Sequence, residues 1–399
     1  MTVKMTLIST RFEDARTHPP PGRSLGIVFD AVVVGSGYGG AIAAAKLALT
    51  GQTVLLLERG REILPGDYPT DMVSAQRETQ ITTARAGRLT AQNGMMDLRI
   101  NDDMHVIVGC GLGGTSLLNA NVAIPGDPRV FQQQATAPDG SKRWLWPAVY
   151  RVPDALKSAS DEAATALGAN TFPTSLKTPN KLKSLQKSAE AMQQPFELAP
   201  INVTFFDQPN HFGNFQSACT MCGDCCSGCN YGAKNTTLMN YLPYAAANGA
   251  WLVTEAQVHT VAQSAGGWAL QVSGFGQDIT LCVTVRAKLV VLAAGTLGST
   301  EILQRSKLAG LGLSPALGKR FSGNGDILDL ALTPIGNRSI IPLRRQGRLH
   351  RRPSCLLLRS TVWAQAATRR TIPSSCRAPA SPESSKWTWA QIARCRTVW

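Results

Sequence analysis

The stretch DAVVVGSGYGGAIAAAKLALTGQTVLLLERG, residues 30–60, limits the possible folds more than any other. An apolar run, Ala31 to Val34, enters Gly35-x-Gly37-x-x-Gly40. An alanine-rich segment follows, and a second apolar run, Val54 to Leu57, ends at Glu58. This order predicts a strand, a tight turn, a helix and a second parallel strand. Gly35 lets the chain leave the strand sharply, Gly37 lets backbone approach a pyrophosphate, and Gly40 lets the helix pack closely on the sheet. Phosphates there meet the unpaired amides of the helix N-terminus, where the peptide dipoles favour negative charge. Glu58, 23 residues after Gly35, is placed to accept from ribose hydroxyls and would repel a 2′-phosphate, which disfavours NADP. A glycine motif alone also fits a ligand-free turn. With strand, turn, helix, strand and acid in register, a bound dinucleotide is the expectation.

At 399 residues the chain is long enough for two domains. It contains no run of about 18 apolar residues, so no membrane-spanning helix is expected. The first residues carry charges and the Pro19-Pro20-Pro21 break where a secretory leader would carry an apolar core, and a cytoplasmic location is the default expectation. The net charge of +14 would suggest a polyanionic partner if it were spread evenly. It is not: from Arg344 onward 12 Lys/Arg face Glu383 alone, leaving 28 basic against 25 acidic residues, a net of +3, in the rest. No nucleic-acid partner is therefore expected. The tail itself, rich in Arg, Ser, Ala, Pro, Cys and Trp, shows no sustained periodicity. It fits a basic disordered tail able to meet a polyanion, or out-of-frame translation of a GC-rich gene, the reading we prefer.

Further along, a helix is expected around Asp71 to Leu89. Next comes HVIVGCGLGGTSLLN, residues 105–119, a short strand running into a second glycine-rich turn. Gly109, Gly111, Gly113 and Gly114 could simply form a tight packed loop. They could equally clear side chains from a backbone lying against a flat or phosphorylated ligand, with Thr115, Ser116 and Asn119 offering hydrogen bonds. Helices are predicted over Asp154 to Leu167, over Lys181 to Met192 with Asn180 as N-cap, and over Thr236 to Gly249. Strands follow at Trp251 to His259, in a hairpin of Trp268 to Val272 with Ile279 to Val285, and at Lys288 to Leu292, before a helix from Ser299 to Ser306. The fully apolar runs suit parallel strands buried on both faces. The fold class is therefore α/β, a doubly wound Rossmann-like domain with an inserted substrate region. The expected division is an extension over 1–27, cofactor-binding parts over 28–130 and 231–330, an insert over 131–230 and the tail over 343–399.

Five of the ten cysteines fall between Cys219 and Cys229, which is not a disulfide framework. Cys219, Cys222, Cys225 and Cys229 follow the C-x2-C-x2-C-x3-C spacing that holds a [4Fe–4S] cluster in ferredoxins, although Asn230 stands where proline usually follows. Zinc on Cys219, Cys222, Cys226 and Cys229 is a second reading, and packed structural thiols a third.

Four segments, GSGYGG with LLLERG, GCGLGGTSLLNANV, NTTLMNYLPYAAANGAWLV and VVLAAGTLGSTEIL, together resemble the FAD-dependent glucose-methanol-choline (GMC) oxidoreductases, most closely their bacterial cholesterol-oxidase-like branch. The resemblance spans roughly residues 28–330. It implies FAD held by the first turn, from Gly35 through Tyr38 and Gly39 to Gly40, with Glu58. The flavin ring would lie against Gly113, Gly114, Thr115 and Asn119, and the adenine near Val258. Ala294, Gly295 and Asp326 would return to the cofactor. It further implies hydride transfer from the CH–OH group of an apolar alcohol, plausible as a sterol, and an electron acceptor that an iron-sulfur centre would serve. It implies a base that is a His, with a second His or Asn as partner, from the C-terminal half; the only histidine after His259 is His350, in the tail, so no catalytic residue is assigned. A truncated or frameshifted chain would then be a flavin-binding fragment or electron-transfer protein without turnover. An NADH-dependent flavin reductase is a further alternative, but a second nicotinamide-binding unit is not found.

Overall fold

A computed structural model describes residues 5–323, apart from positions 153 and 278. The expectations for Asp326 and for the 343–399 tail lie outside the described residues.

Val28–Val34 and Val54–Leu57 are nearly continuous runs of branched apolar residues, the composition of strands covered on both faces. They pair in parallel, Val32 opposite Leu55. Around them forms a seven-stranded sheet in the order Thr10–Arg11, Trp251–Thr254, Val54–Leu57, Val28–Val34, Val283–Leu292, Gly267–Gly274, Ala256–Ser264. The first five strands are parallel, and the last two add as an antiparallel edge.

Both faces of this sheet are covered. On one, Ala41, Ala44, Ala45 and Ala48 of the helix Tyr38–Leu49 pack with Leu56, Leu242 and Leu252. On the other, Ile302 of the helix Gly295–Leu308 joins Phe12, Phe29, Leu55, Trp251 and Leu270. This is the doubly wound α/β architecture.

Alanine on the buried face of Tyr38–Leu49 lets that helix lie close to the strands, and Gly40 is the tightest point. A β-carbon there would run into the carbonyl of Gly35. Gly40→Ala is therefore expected to cost about 1–3 kcal/mol by overpacking, seen as a lower midpoint in thermal unfolding. An unchanged midpoint would contradict so close an approach.

Several local expectations need correction. The helix expected over Asp71 to Leu89 is a short one, Met72–Arg77, with Asp71 accepting from the Val73 and Ser74 amides as its cap. Beyond it Thr79–Thr83 is a strand, because its Thr-x-Ile-Thr-Thr run is β-branched and pairs in parallel with Met96–Ile100. With Gly87–Arg88 and Val106–Gly109 these form a separate four-stranded sheet. Asn180 does not cap its helix; Pro179 holds that position, with no side-chain bond. The helix expected at Thr236 is a 3₁₀ turn, Thr237–Met239, then Tyr241–Ala247, divided at Asn240, whose side chain accepts from the Tyr241 amide. The hairpin strand and the late apolar strand are one, Val283–Leu292. Its first half pairs antiparallel with Gly267–Gly274 and its second half parallel with Val28–Val34. Among the described residues no helix is long and apolar enough to cross a membrane.

Candidate functional site

The first glycine turn leaves the C-terminal end of Val28–Val34, the central strand of the sheet, with Gly35 at φ +96°. A β-carbon on Gly35 would collide with the backbone of Ala293 and Ala294, and the Ala293 amide donates to the Val34 carbonyl at 2.8 Å. The late turn thus lies against the first. The second glycine turn meets it from another side: a β-carbon on Gly114, itself at φ +55°, would stand 2.9 Å from the Gly37 α-carbon. Three segments distant in sequence therefore meet through bare backbone.

Buried hydroxyls hold this junction. The Ser36 hydroxyl donates to Glu58 Oε2 at 2.6 Å and accepts from the Gly113 amide at 2.8 Å. The Ser36 amide adds a second bond to Glu58 Oε2, at 3.0 Å. Ser116 Oγ donates to the Gly113 carbonyl at 2.6 Å and accepts from the Thr237 amide. Thr237 Oγ1 reaches the carbonyls of Ser36 and Gly113. Ser36 and Thr237 were not singled out from the sequence. Ser36 had a signal, since the residue between the first two motif glycines is enclosed by the turn; Thr237 had none, because its partners lie 124 and 201 positions away.

Glu58 is buried, and its carboxylate braces the turn from within. Among the described residues Oε1 accepts the Gly60 amide alone, at 2.8 Å, which leaves acceptor capacity on that oxygen. Tyr38 and Asn119 are brought together, Asn119 Nδ2 donating to the Tyr38 hydroxyl at 2.7 Å; burial raises the Tyr38 pKa. Thr115 is exposed and accepts from the Gly109 amide. Val258 is buried on the strand Ala256–Ser264, whose first amide donates to the Glu58 carbonyl. Ala294 donates its amide to Ser299 Oγ, and Gly295 opens the helix Gly295–Leu308.

The junction fits a dinucleotide on a test internal to the structure. At Gly37, Gly39 and Gly295 a β-carbon would meet nothing within 4 Å, whereas Gly35, Gly40 and Gly114 are tightly packed. Space therefore stands over the glycines that would face a pyrophosphate. The helix Tyr38–Leu49 also begins there with no side chain capping its amides.

Among the described residues no group of three or more His, Cys, Asp or Glu side chains is gathered as a metal site, and Cys219, Cys222, Cys225 and Cys229 form no disulfide. Cys222 and Cys226 face solvent, while Cys219, Cys225 and Cys229 are half-buried. Asn230 accepts from the Gly66 and Tyr68 amides and donates to the Tyr68 carbonyl. Lys234, absent from the sequence-derived site, is 2% exposed and sends Nζ to the carbonyls of Leu117, Asn119 and Cys225 at 3.0, 2.7 and 2.9 Å. Burial lowers its pKa to about 8, against the opposing pull of the neighbouring thiols. Lys234 thereby joins the cysteine loop to the second glycine turn.

Among the described residues, no histidine is bonded into this junction. The His259 ring is bonded to Ser273, and His105 accepts from the Asn101 amide. His211 is exposed beside Phe212.

Fold and junction together are those of a doubly wound α/β domain with a glycine-rich turn of the dinucleotide-binding kind. The family profile described as GMC oxidoreductase matches residues 29–324, about three quarters of the sequence, and the chain belongs to that family. It is 26% identical over 329 residues to a cholesterol oxidase from Acinetobacter baumannii, covering 75% of this chain and 54% of that protein. To a cholesterol oxidase of Mycobacterium tuberculosis it is 27% identical over 310 residues, covering 73% and 50%. A long-chain-alcohol oxidase from Arabidopsis thaliana is 31% identical over 226 residues, covering 56% of this chain and 26% of the plant protein. The chain spans about half the length of the two cholesterol oxidases.

Proposed function

We propose that this chain binds FAD and forms the cofactor-holding part of an oxidoreductase acting on the CH–OH group of an apolar alcohol, a sterol or a long-chain alcohol. The observation that carries the first half is the junction of three glycine turns with open space over Gly37, Gly39 and Gly295. The alcohol class is supported by the relatives named above, two cholesterol oxidases and a long-chain-alcohol oxidase.

On this reading the amides at the start of Tyr38–Leu49 hold the pyrophosphate, and Glu58 Oε1 accepts from a ribose hydroxyl. Ser36, Ser116 and Thr237 fix the two glycine turns against each other, so the flavin-facing backbone does not have to order on binding. FAD, when bound, supplies the hydride acceptor for the carbinol carbon. The domain division stated from the sequence remains part of this proposal.

Anaerobic mixing of the FAD-loaded chain with cholesterol, and separately with a long-chain primary alcohol, tests it. Bleaching of the oxidised flavin band by either alcohol is the expected result. A loaded chain that neither alcohol reduces would instead identify a flavin-binding fragment without turnover.

A further inference from the structure

Where the strand Val54–Leu57 ends, Glu58, Arg59 and Gly60 are engaged separately. Glu58 accepts from Ser36 and from the Gly60 amide, and a β-carbon on Gly60 would run into the Gly111 amide. Arg59 runs instead to the small sheet. Its Nη2 donates at 2.6 Å to Oδ2 of Asp97, a fully buried carboxylate in register with Val108 on the strand that leads into the second glycine turn. Arg99 Nε donates to the same oxygen at 2.8 Å, and Arg99 Nη1 to Glu301 Oε1 of the helix Gly295–Leu308 at 2.9 Å. The Arg59 guanidinium is thus pinned at one edge. Its side chain nevertheless stays 28% exposed, whereas Glu58 is buried. A base carried by a ribose at Glu58 therefore has Arg59 as its exposed neighbour. An edge-on bond leaves the flat faces of a guanidinium free to stack on a ring, as Arg88 does over Phe275 at 4.0 Å.

We propose that Arg59 is the residue on which the base of the bound dinucleotide stacks, with its plane set by Asp97 as a positioning residue, and that the pair gives the site a preference for a purine. This rests on the cofactor reading of the junction given above. Asp97 acts only through Arg59, because its carboxylate is buried and turned to the two guanidinium groups. Its contribution to binding disappears once Arg59 is gone. A lysine in place of Arg59 keeps the charge and can still reach Asp97, but it has no plane to offer a base.

Fluorescence titration of the full chain with FAD, and displacement of FAD by ADP and by UDP, test this in the wild type, Arg59→Met, Arg59→Lys, Asp97→Asn and the double variant Arg59→Met/Asp97→Asn. Arg59→Met leaves Asp97 paired with Arg99, and Asp97→Asn leaves Arg99 paired with Glu301, so each single variant keeps part of the network; thermal unfolding checks each fold. ADP should displace FAD from the wild type about tenfold better than UDP, and Arg59→Met should weaken FAD about tenfold while narrowing that preference to about threefold or less. Arg59→Lys should narrow it in the same way, a change in base preference that a merely structural role would not produce. Asp97→Asn should weaken FAD in the presence of Arg59 and add nothing in the double variant. A wild type that takes FAD, with affinity and preference unchanged in both Arg59 variants, would overturn the stacking role. A further loss from Asp97→Asn in the double variant would overturn the positioning role. A folded wild type that takes neither FAD nor ADP would remove the cofactor reading and this proposal with it.

Discussion

Gly37→Val is expected to abolish FAD uptake while leaving a folded chain. Gly37 sits at φ −61° and ψ −173°, a conformation any residue adopts, and a β-carbon on it meets no protein atom within 4 Å. Folding therefore loses little: valine is a poorer N-cap than glycine, a cost of at most about 1 kcal/mol. The branched side chain instead fills the space that a pyrophosphate needs. Affinity for FAD should fall at least about a hundredfold, the equivalent of about 2.8 kcal/mol. Fluorescence titration alongside thermal unfolding separates the two effects. Stoichiometric FAD on the valine variant would remove the pyrophosphate from this turn. Gly40→Ala provides the contrast, since its added carbon meets protein and its effect is on stability.

Lys234→Met should be among the most destabilising single changes in the described chain. Methionine keeps most of the aliphatic stem but takes away the donor to three carbonyls. Removing one side of a buried, hydrogen-bonded charge site costs about 3 kcal/mol or more, a fall in Tm of roughly 5–10 °C. The comparison also carries a pH signature. The folded-state pKa of Lys234, about 8, lies below its usual 10.5, so between those values the unfolded chain holds a proton that the folded chain has lost. Burial of the charge thus destabilises the fold fully below pH 8, and the penalty is relieved as pH rises towards 10.5. The wild-type protein should accordingly gain stability over Lys234→Met by up to about 3 kcal/mol across that interval. Parallel denaturant titrations at pH 7 and pH 10 measure this difference, and a constant gap would contradict a strained ammonium at this position.

The parts of this architecture legible in the sequence are those set by local order. Strand, glycine turn, alanine-rich helix and second strand follow one another within residues 30–60, and each is written in neighbouring residues. The small sheet was not legible in this way. Met72–Arg77 carries a good helical cap, but Thr79–Thr83 becomes a strand because Met96–Ile100 is beside it, a partner that local periodicity does not disclose. Val283–Leu292 was split into two because it changes from an antiparallel neighbour to a parallel one in mid-strand. At the site, the glycines are visible as a motif, whereas Ser36, Thr237 and Lys234 act on backbone atoms that lie up to 201 positions away. The cysteine spacing is visible as a ligand pattern, whereas the bonds by which Asn230 and Lys234 tie that loop to distant backbone are not written in it.

The most direct test of the central claim is the visible spectrum of the purified chain after equilibration with FAD and gel filtration, with iron and acid-labile sulfide assayed on the same sample. One flavin retained per chain is the expected result. Iron and sulfide in stoichiometric amounts would assign the cysteine loop to an iron-sulfur centre, and a chain that keeps its fold by circular dichroism yet retains no flavin would contradict the cofactor cradle.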